Sequence, residues 1–504
     1  MLEKFKYFLK HSIIYSISNV ATKASGIILL PIYTSYFTVE EFGRLGLVLA
    51  VITILIQVVV LGQNQSILKF NNQIEYVDKK KSILYTLSVF VILAALVFTV
   101  IGEFAAPWLA KILGSFEDYY SSLRIAIYII VVSIINNVFQ NKLRADEKSV
   151  SFTVISLIKL FVLIVATVYL VTSLELGING VLYGQLISEI VTLIILVPLM
   201  LRLMEFKFEK DILNESLKFG LPLIFSALSM TLLNISDRFL IKFLASEEAL
   251  GLYELGYRVA GILNMFMIMP LNLTLLPVAY KVYQEPGDKD YYRKIMTYAT
   301  YFLVWGALAL SIFSKEIIEL FAGSGSYLPA YEVVPVILFA YVFFGMSLIS
   351  SLGMYLTAKT TYVAIITIAS AVLNIILNFI FIPVYGIMGA AVNTLIAFIF
   401  LYLFSEIASN RYYKIDFENS KLLRLFILSV IILWLATYLS DISLLLRIAF
   451  KLGIIFFFPA LLALFGYFNK KEIKAISGAI KKWYNPFNWR KNLNLKEINK
   501  KEID

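Results

Sequence analysis

Apolar stretches of about twenty residues recur along almost the whole 504-residue chain, and the loops between them are too short to build a separate soluble domain. Crossing ~30 Å of hydrocarbon takes ~20 residues of helix. Within lipid the backbone has to satisfy its own hydrogen bonds, which a helix does internally. This repeated run length makes the chain an all-α polytopic membrane protein. Only 15% of its residues are charged and 60% are hydrophobic, whereas soluble domains carry about 25% charged residues.

Read by length and hydropathy, the chain holds about fourteen transmembrane helices. They span 12–37, 43–63, 81–103, 121–143, 151–173, 178–203, 216–243, 251–280, 294–313, 329–355, 360–382, 386–409, 423–440 and 447–467. The apolar run of the N-terminal "MLEKFKYFLKHSIIYSISNVA" continues past Lys23 with no small-residue cleavage site. It reads as a retained first span rather than a signal peptide. With both termini cytoplasmic, about three quarters of the 44 Lys and Arg residues fall on the inner side, and the outer loops keep scattered ones such as Arg44, Lys111 and Arg124. Positive residues accumulate on the cytoplasmic face, so the net charge of +10 is mostly topological and needs no nucleic-acid partner.

Cysteine is absent and His11 is the single histidine, which excludes a disulfide, a Cys-ligated metal and a histidine metal cluster. No metal or organic cofactor is expected. No phosphate-binding glycine loop follows a strand-like segment, and no loop is large enough for sugar chemistry. An ATP-driven pump and a membrane-embedded glycosyltransferase or polymerase are both disfavoured, and the chain reads as a non-enzyme. In the tail, Ile473, Ile476, Ile480 and Trp483 share one helical face among lysines. That pattern suits a helix lying on an anionic inner leaflet; a solvated basic tail is the plainer reading.

The chain also resembles itself. A shift of 208 residues places Leu9-Lys10 on Leu217-Lys218, Ser18 on Ser226, Glu40 on Glu248 and Gly43 on Gly251. "GINGV" at Gly177 matches "GIMGA" at Gly386 one residue further on. The shift spans six helices, an even number, so the copies share one orientation and form two six-helix bundles in parallel pseudo-two-fold repeat. In transporters built this way, substrate passes between the lobes. The expected organisation is an N-terminal lobe over 1–208, a C-terminal lobe over 209–415, two accessory helices over 416–468 and a basic cytoplasmic tail over 469–504.

Charged residues inside the spans mark candidate function, because such residues are costly unless they face protein or water. On the first helix Ser12, Ser16, Asn19, Thr22 and Lys23 form a polar stripe. Lys23 lies roughly 16 Å deep at 1.5 Å per residue, so it is read as facing an aqueous cavity, with Glu189 as its alternative buried partner. On the seventh helix Asn234, Asp237, Arg238 and Lys242 share a face; on the eighth, Glu254 and Arg258 are spaced i, i+4. Asp237, Arg238, Glu254 and Arg258 are expected as a charge network at the outer mouth, either fixing helix packing or serving substrate and gating. Lys159 can pair with Glu189 in the first lobe, while Asn374, Asn378 and Asn393 suit bonds between helices. The candidate substrate-binding residues are therefore Lys23, Asn19, Asn234, Arg238 and Arg258; the candidates for gating or ion coupling are Asp237, Glu254 and Glu189. A path lined by cations favours an anionic cargo such as a phosphate or diphosphate.

"GIILLPIYTSYFTVEEFGRLGL" from Gly26, "ISDRFLIKFLASEEALGLYELGYRVAGIL" from Ile235 and the stretch Met354 to Thr394 resemble the polysaccharide-type (Wzx-like) flippases of the multidrug/oligosaccharidyl-lipid/polysaccharide (MOP) superfamily. The resemblance covers helices one to twelve in order. It implies two six-helix bundles in a V, working by alternating access in the bacterial inner membrane. It also implies an undecaprenyl-diphosphate-linked oligosaccharide moved from inner to outer leaflet for O-antigen, capsule or exopolysaccharide, with a polysaccharide polymerase as an expected partner. Asp237 and Arg238 match that family's helix-seven acid–base pair. Relatives often carry a cation after the Tyr-Thr of the first stretch, whereas Ser35 stands here. H+ or Na+ coupling through Asp237, Glu254 or Glu189 is the expectation for the driving force. The alternatives are a lipid II flippase and a cation-coupled multidrug exporter of the same superfamily; the latter needs cavity carboxylates, against which a midplane lysine argues.

Overall fold

The structure is a computed structural model that describes residues 24–438, 443–469, 472, 473 and 478. It divides into two units, Met1–Asp416 and Phe417–Asp504. In the first, α1 (Ala24–Tyr36), α2 (Val39–Val59), the short α3 (Gln63–Asn72), α4 (Lys80–Leu113), α5 (Phe116–Ala145), α6 (Ser149–Thr172) and α7 (Gly177–Leu201) form the first half. The second half holds α8 (Lys210–Leu244), α9 (Glu247–Val282), α10 (Asp288–Ile312), the short α11 (Ser314–Phe321), α12 (Val334–Leu356) and α13 (Thr360–Tyr412). The second unit is a pair of helices, α14 (Asn419–Thr437) and α15 (Leu444–Leu464), with Arg424 donating to the Gly466 carbonyl at 3.1 Å.

Among the described residues twelve helices are long and apolar enough to cross a membrane. The expected fourteen differ from these in two places. The first span, 12–37, is described only from Ala24, and the remainder of it lies outside the described residues, as do most of the tail's lysine-rich segment and Trp483. The expected spans 360–382 and 386–409 are continuous in α13, which turns at Gly386 with φ 54° and ψ −135°. Its 53 residues would run ~80 Å if straight, so the turn makes two spans of one element.

The internal repeat has a backbone signature. Gly177 and Gly386, equivalent in the repeat, both sit at positive φ, 55° and 54°, a region that glycine enters without a Cβ penalty. The α5–α6 and α12–α13 corners are also alike. Glu147 and Ala358 each take φ 56°, and the next residue's N–H reaches back five positions: Lys148 to Leu143 at 2.9 Å, Lys359 to Met354 at 2.7 Å. This is the left-handed helix ending that satisfies terminal carbonyls. Within the second half, Leu233, Ala340, Met354, Ile366 and Phe398 pack α8, α12 and α13 into a common core.

Candidate functional site

The two halves touch at both ends of α2. At its start, α2 crosses α9 with backbone against backbone: a Cβ on Gly43 would lie 2.3 Å from the Glu247 carbonyl oxygen, and one on Gly251 only 1.9 Å from that of Val39. The two contacts are exchanged by the repeat, so Gly43 and Gly251 lie on its pseudo-two-fold axis. Charges rivet the same end. Arg44 binds Glu40 at 2.9 Å, Asp118 at 2.5 Å and Glu247 at 2.6 Å, and Glu247 also takes Lys242 and the Tyr119 hydroxyl. Alongside, Tyr327 donates to the carbonyls of Phe37 and Thr38, both at 2.9 Å, and Ser35 packs on Gly323. Beyond the other end of α2, a Cβ on Gly62 would meet the Gly220 oxygen at 2.4 Å. There Ser66 donates to the Ser216 carbonyl at 3.1 Å, and Tyr76 bonds Glu215.

Between these contacts lie two joined cavities, about 290 and 540 Å³, that share Ser25, Gly26, Leu49, Gln185 and Arg258. The smaller is the charged one, with Lys159, Glu189 and Arg258. The larger is lined by α1, α2, α7, α9 and α12, and among the described residues Arg258 is its one ionised side chain. Residues of both halves therefore line one space in the middle of the bundle.

Arg258 owes its placement to Glu254. That carboxylate accepts from the Nε atoms of Arg238 and Arg258, both at 2.9 Å. It is buried against Gly46 of α2, where a Cβ would meet its side chain at 3.0 Å. Gly46 is the repeat equivalent of Glu254, so the small residue in one half makes room for the carboxylate of the other. The triad carries one more positive charge than negative. The Arg258 guanidinium lies over the Tyr33 and Phe42 rings at 5.6 and 5.0 Å from their centroids.

Glu189 is engaged within the first half by Lys159 at 2.6 Å, Ser133 at 2.7 Å and Asn136 at 2.8 Å. Its partner among the described residues is thus Lys159; Lys23 and Asn19 lie outside them.

Of the expected network of Asp237, Arg238, Glu254 and Arg258, three residues come together and Asp237 turns elsewhere, because successive helical residues point about 100° apart. Asp237 turns into the second half and accepts from Tyr253 at 2.7 Å, Asn378 at 2.6 Å and Thr394 at 2.7 Å, with Asn393 bonding Asn378 at 3.0 Å behind it. Arg238 turns to Glu254 and stacks on Tyr257 at 4.5 Å. Arg238 and Asn234 are not among the residues that line these two cavities. Asn234 donates to the Met230 carbonyl at 2.7 Å, and its own carbonyl accepts from Arg238 at 2.8 Å. Both are supports behind Arg258. Sequence reasoning missed Gln185, Asn264, Tyr257 and Tyr341 as cavity residues, and Tyr253 and Thr394 as Asp237 partners. The one available signal was a polar side chain on the same face as a charged one.

This all-helical fold around a charged cavity is similar to that of solved transporters of the MOP superfamily. The solved "Lipid II flippase MurJ, inward closed conformation" superposes with a TM-score of 0.72 at 16% identity, over 90% of this chain and 98% of that one. An inward-facing multidrug resistance MATE transporter of the superfamily gives 0.66 at 17%, over 79% and 99%. A MOP transporter from Pyrococcus furiosus, described as having a binding pocket of reverse polarity, gives 0.61 at 18%, over 80% and 95%. At these identities the likeness is one of fold. No curated protein matches. A family model described as "Polysaccharide biosynthesis protein" matches residues 8–282, more than half of the chain, and the protein belongs to that family. The resemblance to Wzx-like flippases thus agrees with both the family match and the fold.

Proposed function

We propose that this transporter flips a polyprenyl-diphosphate-linked oligosaccharide, of the undecaprenyl type, from the inner to the outer leaflet of a bacterial plasma membrane. One observation carries the reading: Arg258 presents an incompletely neutralised guanidinium to a cavity between the lobes. A diphosphate and a hydrated glycan cannot cross hydrocarbon unaided, and guanidinium is a strong phosphate binder. The isoprenoid tail can stay in lipid while the cavity shields the head group. In this reading the Gly43–Gly251 end faces outward, both termini are cytoplasmic, and a polymerase takes up the flipped product.

Rocking of the lobes would alternately release the contacts at the two ends of α2. A proton or sodium ion is proposed as the driving ion, with Asp237 as its site, since the hydrogen bonds of that buried carboxylate come from hydroxyl and amide groups. The family membership favours a polysaccharide precursor over a peptidoglycan one; the flippase fold match keeps lipid II as the second reading. A cationic drug is disfavoured by the charge of the cavity.

The test is translocation of undecaprenyl-diphosphate-linked oligosaccharide in proteoliposomes, comparing wild type with folded Arg258→Gln. Protein-dependent flipping that Arg258→Gln abolishes is expected. Drug efflux with no flipping of any isoprenoid-linked glycan would overturn the assignment. Flipping indifferent to proton and sodium gradients would remove the ion coupling.

A further inference from the structure

The two cavities differ in chemistry, and they join at Arg258. One holds the Lys159–Glu189 pair; the other, an arm running along α9, has no further ionised group among the described residues, with Gln185, Asn264, Tyr257 and Tyr341 among its lining. Three features of the arm stand out. Asn264 opens a π-helical turn, Asn264–Ile268, that interrupts α9 one to two turns beyond Arg258; such turns are frequent at functional sites. The buried Tyr257 stands against Tyr341, their ring centroids 5.7 Å apart, and forms an aromatic wall to the arm. And Gly261, on the turn between Arg258 and Asn264, leaves room: a Cβ there would touch none of the described residues within 4 Å.

On the proposed function, we infer that this arm is the subsite for the sugar attached to the diphosphate, with Gly261 providing its room and Gln185 and Asn264 reading its hydroxyls. The sugar is covalently joined to the distal phosphate, so whatever space adjoins Arg258 receives it. A hexose offers an apolar C–H face and a rim of hydroxyls, which suits tyrosines, whose rings are apolar with a polar tip. It also suits uncharged amides that donate and accept. An isoprenoid tail in the arm would instead strip water from Gln185 and Asn264 without returning hydrogen bonds, a cost of a few kcal/mol per group.

The experiment measures flipping of two probes in proteoliposomes: undecaprenyl diphosphate alone, and undecaprenyl diphosphate bearing one N-acetylhexosamine. Gly261→Leu fills the arm without displacing a protein atom that its Cβ would touch. It is expected to slow the glycosylated probe at least ~10-fold, the factor set by about 1.4 kcal/mol, while leaving the bare diphosphate unchanged. Gly261→Ala should give a smaller loss in the same direction, and it serves if the leucine variant does not fold. Gln185→Leu should cost the glycosylated probe about 3- to 10-fold, the worth of one hydrogen bond, and the bare probe nothing. Equal slowing of both probes would place the tail or the general path in the arm, and no effect on either would leave the arm empty during transport; both outcomes overturn the inference. Wild type that flips neither probe overturns the proposed function instead, and Arg258→Gln losing both probes separates the two subsites.

Discussion

Glu254 is the residue on which the cavity's charge depends. It holds two guanidiniums from different helices, and removing its charge leaves both buried beside a neutral amide. Breaking a buried ion pair by deleting one partner costs about 3–5 kcal/mol. Glu254→Gln is therefore expected to lower the thermal unfolding midpoint in detergent markedly, whereas Arg258→Gln, whose head lies at the cavity and whose loss leaves Arg238 paired, should unfold close to wild type. The i, i+4 spacing of Glu254 and Arg258 made their pairing legible from sequence. The separation of Asp237 from Arg238 was not, because periodicity tells which residues share a face and not which neighbour that face meets. The Asp237 partners illustrate the same limit: Thr394 lies 157 positions away and is one hydroxyl in an apolar helix.

At the scale of elements, the crossing of α2 and α9 and the latch between α4 and α8 each permit a prediction. Gly251→Ala would bring a methyl to within 1.9 Å of the Val39 oxygen, so the starts of the two helices would have to part. A cysteine placed in the cavity should then react faster with a membrane-impermeant thiol reagent added from that side. Just before α8, Glu209 accepts from Ser82 at 2.9 Å and pairs with Lys79 at 3.1 Å and Lys207 at 3.3 Å. The Ser82 hydrogen bond, helped by the two lysines, lowers its carboxyl below the usual carboxylate value, against the opposing effect of burial. A folded-state value below the unfolded one of about 4.3 means that the contribution is present above that pH and fades as pH falls through the folded value. Glu209→Gln should flatten the acid limb of the unfolding-midpoint profile below about pH 5 and leave its neutral part less affected. Helix boundaries were legible because hydropathy marks them, and the expected break between 360–382 and 386–409 falls where Gly386 leaves helical backbone angles.

At the scale of the molecule, the chain has no cysteine, so a single introduced thiol reports by itself. Thr53 lines the larger cavity from α2, halfway between the two contacts. For a molecule that opens alternately, Thr53→Cys should be labelled from either side of the membrane. Its labelling should slow when a glycosylated isoprenoid diphosphate is present. Labelling from one side only, under every condition, would speak against rocking of the halves. The all-helical architecture was legible in the sequence through its apolar runs, and the repeat pointed to Gly177 and Gly386, which share a positive φ. The cavity was legible only as a charge requirement, because its neutral lining comes from residues that any membrane helix tolerates.

The glycine pair on the repeat axis also says something about ancestry. A duplicated chain drifts freely where it meets lipid, since any apolar side chain serves there. At Gly43 and Gly251 each copy presses on the other's carbonyl, and no smaller residue exists to compensate for enlargement of either. The two copies cannot revise that spot independently. Their common origin thus stays written where neither has a side chain.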